Sequence, residues 1–334
     1  MRPEQAGVVA RALRVAGVEA VGAGGPRRSG VEAARALGVP LVDDLRAGLA
    51  SASADLILLA DPDDLGLTGD RSGADAVLEA RARGVVVASL EPIPSSAVEL
   101  AGGRWSATTG GVRAVDTVRV LPMTRRWGAF RELGDVLENF GRVRTARLTL
   151  DAPPTLGSLA ARAFDAFELL LAVLGEPESI DAAFAAPDAA PGVHAVPGES
   201  LRGLSGTLSA LVRTSDGRAA TVGIGNIAPA DHGALTLLGP GGRLEIDPAG
   251  LRWFAPDGSL ADQGREPALH EASEGDRAAD RIGRALADLL DPSRAASPPI
   301  EIERVLACVQ AAVLSTRTAQ PESPGTIRRM VGVA

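Results

Sequence analysis

The sequence contains no tyrosine and no lysine: all 34 of its Lys-plus-Arg residues are arginine. Two common proton donors of carbonyl chemistry are therefore missing, and arginine does not replace them, because it holds its proton near neutral pH. A single cysteine, Cys308, excludes an internal disulfide and fits a reducing cytoplasm, the compartment expected for this chain. No apolar run has the length of a bilayer span, so no membrane association is expected. The opening residues, MRPEQAG, lack the basic start and apolar middle of a signal peptide. Net charge is −8 and the arginines are scattered, so no nucleic-acid surface is expected either.

What remains is ample for two globular domains: 334 residues, 46% hydrophobic and 23% charged. The N-terminal part alternates helix-period and buried-strand patterns. Helices are expected over residues 3–16, 31–37, 44–49 and 73–83, and strands over 18–22, 56–60 and 84–89, an order that implies a parallel sheet. The run GVVVASLEPIPSSAVEL (84–100) is central to it. Three consecutive valines start a buried strand, prolines punctuate the turn, and Ser95 or Ser96 supplies the cap of the next helix. In a doubly wound sheet the carboxyl end of such a strand faces the ligand crevice. Glu91 and Pro92 fall there, as Asp61 and Pro62 do after the strand LILLA.

The later part changes character. An alternating strand is expected over 112–122, a helix over 127–140, and a strand with one solvated face over 143–150. A long helix spans 156–174. Short strands follow at 207–214, 219–224, 234–238, 244–247 and 251–254, which together imply a largely antiparallel sheet. Residues 187–197 read as an Ala/Pro/Gly-rich loop. Two helices, 277–290 and 301–316, close the chain, with Cys308 read as a small core residue. His194, His232 and His270 sit in no motif and read as surface residues.

A dinucleotide-binding sheet opens with a strand, a glycine loop and a helix that receives the pyrophosphate. This sequence opens inside a helix. Gly22-Ala23-Gly24-Gly25 follows a strand and precedes a helix, yet Arg27 takes the third glycine position of GxGxxG. It reads as a fingerprint or, on the simpler account, as an ordinary glycine-rich turn. Arg27 and Arg28 either receive a 2′-phosphate or form a solvated basic turn.

Several segments, in order, resemble the Gfo/Idh/MocA family, the glucose–fructose oxidoreductase and inositol dehydrogenase relatives. ALGVPLVDDLRAGLASASADLILLADPDD resembles its second and third strand units, FGRVRTARL its entry to the large sheet, FELLLAVLGEPESIDA its helix ending in L-G-E-P, and HGALTLLGPGGRLEIDPAGL its sheet hairpin. The resemblance runs from about Val8 to Pro321. It implies an α/β fold: a Rossmann-like domain over 1–110, its first strand and glycine loop missing, an α+β domain with a large open, mostly antiparallel sheet over 111–320, and a tail from 321.

It also implies NAD- or NADP-dependent hydride transfer on a sugar- or polyol-type ligand, with a cofactor region at Gly24, Arg27, Arg28, Asp61, Pro62, Glu91 and Pro92. Here the sequence departs from the family. The lysine of its Glu-Lys-Pro turn is Glu91, the helix histidine falls on Asp165, and the upstream aspartate falls on Ala161. Glu168 survives as a further acid. Arg126 resembles an arginine in a segment that leads into a helix beside the active site: either it meets an anionic or polyol ligand, with Asp165 as a second ligand position, or it caps a helix or pairs with a carboxylate. Three readings of Glu91, Asp165 and Glu168 stand open: a carboxyl acid–base pair, a metal site, or a polar, solvated pocket without turnover. The expectation is an oxidoreductase with weak or no turnover. The alternative is a non-catalytic binding protein or dimer partner of an active paralogue, associating with itself or with another chain through the 207–254 sheet.

Overall fold

A computed structural model of the chain describes residues 1, 3–25, 28–51, 53–62, 65, 71–102, 105–127, 129–187, 200–265, 273–291, 293 and 300–332. The chain divides into two compact units: Met1–Leu121 with Gly275–Ile302, and Pro122–Glu274 with Glu303–Ala334. Both are discontinuous in sequence.

The first unit is the parallel α/β part. In order it contains α1 (Pro3–Ala16), β1 (Ala23–Gly24), α2 (Arg28–Leu37), β2 (Leu41–Val42), α3 (Leu45–Ser51), β3 (Leu56–Leu59), α4 (Arg71–Ala82), β4 (Val86–Ser89), α5 (Ala97–Gly102), β5 (Thr108–Thr109), β6 (Val112–Arg113) and β7 (Val118–Val120). Its parallel strands form two separate sheets. One is β1 beside β2, and the other runs β3-β4-β7. No strand forms over 18–22, where Val21 is 62% exposed; the strand lies just after it, at Ala23–Gly24, whose residues pair with Leu41 and Val42. The strand LILLA forms as β3, but Leu56, Ile57 and Leu58 are half-exposed where a central parallel strand would be covered.

The second unit holds α6 (Phe130–Phe140), β8 (Thr145–Asp151), α7 (Leu159–Leu174), β9 (Ser179–Ala185), β10 (Thr207–Arg213), β11 (Ala219–Gly225), β12 (His232–Gly239), β13 (Gly242–Asp247), β14 (Gly250–Phe254) and β15 (Leu260–Arg265). Its eight strands run in the order β15-β14-β13-β12-β8-β11-β10-β9, and β8–β11 is the one parallel pair among them. Alternation holds strand by strand. Leu148 and Leu150 of β8, Val222 and Ile224 of β11, and Leu235 and Leu237 of β12 are buried, and their neighbours are half-exposed or exposed. Helix α7 packs on β8 and β11. The first and last strands beyond those expected, β9 and β15, flank the sheet. The expected helix over 127–140 starts later, at Phe130, after a 3-10 turn over Thr124–Arg126. The expected strand over 112–122 is split into β6 and β7 by a 3-10 turn.

Three helices complete the chain. Helix α8 (Glu274–Leu290) returns to the first unit, where a Cβ on Gly283 would lie 2.5 Å from Val15 Cβ and 2.6 Å from Ala12 O of α1. Only glycine permits that approach. Helix α9 (Ile302–Thr318) belongs to the second unit, where Ser315 Oγ accepts a hydrogen bond from Ala182 N of β9 at 2.9 Å. Cys308 is fully buried on α9, and burial pushes its thiol well above the usual range. Helix α10 (Pro324–Met330) follows, capped by Ser323. No described helix is long and apolar enough to cross a membrane.

Candidate functional site

Helix α7 carries two buried carboxyls. Ser158 caps its start by accepting from Ala161 N, and Gly175, at φ 75°, ends it in a conformation only glycine adopts cheaply. Its apolar residues, among them Phe164, Phe167 and Leu170, are buried. Asp165 and Glu168, three apart on one side, are buried with them, each 5% exposed. A buried carboxylate is costly unless it is hydrogen-bonded. The 3-10 turn Thr124–Arg126 supplies the partners.

Asp165 accepts Thr124 N at 3.1 Å on Oδ1 and 2.8 Å on Oδ2, and Oδ2 also receives the Thr124 hydroxyl. Both carboxylate oxygens thus clamp the start of the turn. The turn in turn presents Arg125, whose Nη1 reaches Glu168 Oε1 at 2.5 Å. Glu168 Oε2 is buried and has no hydrogen-bond partner among the described residues. Burial raises the Glu168 carboxyl to about 7, against the charge and hydrogen bond of Arg125, which pull it down, and with the nearby Asp165 adding to the rise. Near neutral pH this group is divided between its acid and its carboxylate.

The two carboxyls therefore differ in kind. Asp165 is committed to positioning the turn, and Glu168 keeps one oxygen and a movable proton. Both are largely withdrawn from solvent in this chain, each 5% exposed. The residues that the sequence did not single out are Thr124 and Arg125. Arg126 was singled out, but a turn of three residues per winding aims successive side chains apart, and Arg125 is the one that meets Glu168. The signal was present in the string MTRRW, which resolves a threonine and two arginines without saying which faces the helix.

The remaining candidates lie in the first unit. Glu91 follows β4 and is 2% exposed. The Ser89 hydroxyl lies 2.6 Å from Glu91 O and 3.3 Å from Leu59 O, and accepts Glu91 N at 3.3 Å. It ties the carboxyl ends of β3 and β4 together, so Asp61, Pro62, Glu91 and Pro92 sit on adjacent strand ends. Pro62 and Pro92 are buried and Asp61 is half-exposed. Of the two expected cap candidates, Ser96 caps α5 by accepting Glu99 N at 3.1 Å, while Glu99 Oε2 accepts Ser95 N, one residue before the cap, at 2.7 Å. Gly24 ends β1, and Arg28 opens α2. Arg27 lies outside the described residues, as do His194, His270 and all but the first residue of the 187–197 loop. His232 is exposed at the start of β12.

A pyrophosphate requires glycines that leave open space before a helix N-terminus. The described glycines of this turn face the chain's own backbone instead. A Cβ on Gly24 would collide with Val42 O, and one on Gly25 would lie 2.6 Å from Met1 O. At the start of α2, a Cβ on Gly30 would lie 2.7 Å from both Gly25 N and Gly25 O. The glycines serve the chain's own close approaches, and the described residues do not fit a dinucleotide cradle.

No protein-family model and no curated protein matches the sequence. Solved structures do. A levoglucosan dehydrogenase in complex with NADH and levoglucosan superposes with a TM-score of 0.67 at 14% identity, covering 95% of each chain. An oxidoreductase from Agrobacterium radiobacter in complex with NAD+, L-tartaric acid and magnesium gives 0.67 at 14% identity, covering 98% of this chain and 97% of that one. An NAD binding oxidoreductase from Klebsiella pneumoniae gives 0.65 at 14% identity, covering 96% and 95%. The chain has the fold of these Gfo/Idh/MocA-type NAD-binding oxidoreductases, with a parallel Rossmann-like part and a large mixed sheet.

Proposed function

We propose that this chain is a relative of NAD(P)-dependent sugar and polyol oxidoreductases that holds a small polyhydroxylated ligand at Arg125 and Glu168 and turns it over weakly or not at all. The observation that carries the reading is Glu168 Oε2, a buried carboxyl oxygen without a described partner beside an anchored arginine. Protonated, Glu168 donates to a ligand ether or hydroxyl oxygen; ionised, it accepts from a ligand hydroxyl. Sugars and polyols offer both kinds of group. The solved neighbours hold levoglucosan, L-sorbose and L-tartaric acid, which supports this ligand class.

Weak turnover follows from what each residue can do. Resemblance assigns the hydroxyl proton to a lysine and a histidine, and Glu91 and Asp165 stand in their places. Asp165 is already engaged by Thr124. Without a cradle for the pyrophosphate, NADH and NADPH are expected to bind weakly to the chain as given. Arg126 and Asp165 remain proposed ligand neighbours, and Gly24, Arg28, Asp61, Pro62, Glu91 and Pro92 what is left of the cofactor region.

Calorimetric titration with levoglucosan, L-sorbose and myo-inositol tests this, with and without NADH. The expected result is polyol binding that weakens at least tenfold in Arg125→Ala, together with no cofactor oxidation or reduction. Absence of binding by all three polyols would remove the ligand reading. Sustained turnover abolished by Glu168→Gln would make the chain an enzyme.

A second reading has its own observation. On the uncovered side of the large sheet, Thr149, Thr221, Ala234 and Thr236 of adjacent strands are small or β-branched and half-exposed or exposed. The exposed Arg147 stands between Thr221 and Thr236 on this face, which would pair with a second copy or an active paralogue through small residues around one cation. Light scattering of the wild type and of Thr221→Arg tests it: a dimer that becomes monomeric supports this association, and a wild-type monomer ends the self-pairing version.

A further inference from the structure

The guanidinium of Arg125 has two sides, and Glu168 occupies one of them. Arg125 Nη1 donates to Glu168 Oε1 at 2.5 Å. Among the described residues its Nε and Nη2 donate to no partner, and together they form a planar fork of donors. The two ends of the pair differ in access. The Arg125 side chain is 39% exposed and the Glu168 side chain 6%. A ligand arriving from solvent therefore meets the guanidinium first, with the carboxyl enclosed behind it.

A charged planar fork matches a carboxylate, whose two oxygens accept both N–H bonds side by side. A neutral hydroxyl accepts a bond and answers none of the charge. What opposes a ligand carboxylate is Glu168 itself. Ionised, it neutralises Arg125 from behind and repels a second anion. Protonated, it leaves the charge of Arg125 to the ligand. Arg125 supports only one of its oxygens. Glu168 Oε2 is buried and has no hydrogen-bond partner among the described residues, so nothing there holds the ionised form.

The groups around Glu168 single it out as the one whose charge changes. Asp165, on the same helix, accepts the Thr124 amide and hydroxyl, and its own charge adds to the rise of the Glu168 carboxyl. Arg126, the other cation of the 3-10 turn, keeps its proton throughout and has interactions of its own. The inner faces of β8 and β11, on which α7 packs, are apolar: Ala146, Leu148 and Leu150, and Ala220, Val222 and Ile224.

We infer that the ligand held at Arg125 is an anionic polyol, a hydroxy acid of the aldonate type, and that it enters together with one proton taken up by Glu168. This rests on the reading of Arg125 and Glu168 as a polyol site and gives that site its ligand class. Glu168 acts through Arg125, as a positioning residue that sets how much of the guanidinium charge the ligand receives. The coupling is reciprocal: the proton strengthens anion binding, and the bound anion holds the proton on Glu168. Neutral sugars and sugar alcohols bind without that exchange, so pH separates the two ligand classes.

Calorimetric titration of the 334-residue chain with sodium D-gluconate tests this, with levoglucosan as the neutral comparison. Each ligand is titrated from pH 6 to pH 9 in two buffers of different ionisation enthalpy. The expected gluconate affinity falls on the order of tenfold per pH unit above pH 7, with about one proton taken up per gluconate bound at pH 8. Levoglucosan affinity should change little over the same range. Glu168→Gln, neutral at every pH, should bind gluconate equally at pH 6 and pH 9. The proton count is read on the wild type, so it stands even where the variant does not fold. Levoglucosan binding without gluconate binding overturns the inference and leaves the polyol reading in place. So does gluconate binding with no proton uptake and no pH dependence. Binding of neither ligand overturns both.

Discussion

The strands of the two units obey the same rules and come out differently. In the second unit eight strands form one continuous ladder, and β8, at its centre, has a partner on each side and a fully buried inner face. In the first unit the parallel strands fall into two pieces, and the apolar run of β3 stands half-exposed at an open edge. An apolar strand is stable when its ladder and both faces are satisfied, and composition alone does not guarantee that. The difference teaches where the fold has kept its completeness. The ladder is continuous beneath α7, where Asp165 and Glu168 are held, and divided between β1-β2 and β3-β4-β7 among the described residues.

The sharpest way to break the contrast is a matched pair of truncations. Leu148→Ala on β8, a residue 1% exposed, should cost about 3–5 kcal/mol, and Leu58→Ala on β3 only about 1–2 kcal/mol, read by differential scanning calorimetry. Equal losses would mean that β3 is as well packed as β8. Next in size is Glu168→Gln. The folded carboxyl titrates near 7 against 4.5 unperturbed, so the native state binds the extra proton and Glu168 lowers stability as pH rises through that window. The variant should gain about 1–3 kcal/mol over wild type at pH 8, less whatever the Arg125 pairing returns, and nothing at pH 4. A gain that does not grow with pH would show that Glu168 is not a strained acid.

Two smaller changes probe the supports. Thr124→Val removes the hydroxyl bond to Asp165 but keeps the backbone one, for about 1–2 kcal/mol, and should weaken the hold on Arg125. A chemical shift change of the Arg125 side chain is the readout. Ser96→Ala removes the cap of α5, for about 1 kcal/mol, measured by urea unfolding. A loss confined to the first unit would confirm that the cap acts locally.

The sequence made some of this legible for clear reasons. Alternation in VRTARLTL and its neighbours located the large sheet, because one covered face imposes period two. The S-S-A-V-E string located the cap of α5, because capping needs only local partners. Glu91, Asp165 and Glu168 could be picked out by resemblance. What sequence did not reveal depends on non-local pairing. LILLA reads as buried whether or not a neighbour covers its edge, and VEAVG reads as a strand although the ladder forms only after it, at Ala23 and Gly24. That Asp165 clamps a turn and Glu168 keeps a proton depends on Thr124 and Arg125, some forty residues earlier. Periodicity within α7 carries no trace of them.

The return of α8 to the first unit also has a consequence for how the molecule is made. Residues 275–302 belong with Met1–Leu121, yet the whole eight-stranded sheet is encoded between them. During synthesis, therefore, the first unit emerges early but must wait for its closing helix until the larger sheet has left the ribosome. Through that interval its open edges and half-covered leucines are at their most accessible. A nascent chain of this design gives a chaperone its longest opportunity at the N-terminal end, and slowing translation across residues 122–274 should lengthen that opportunity further.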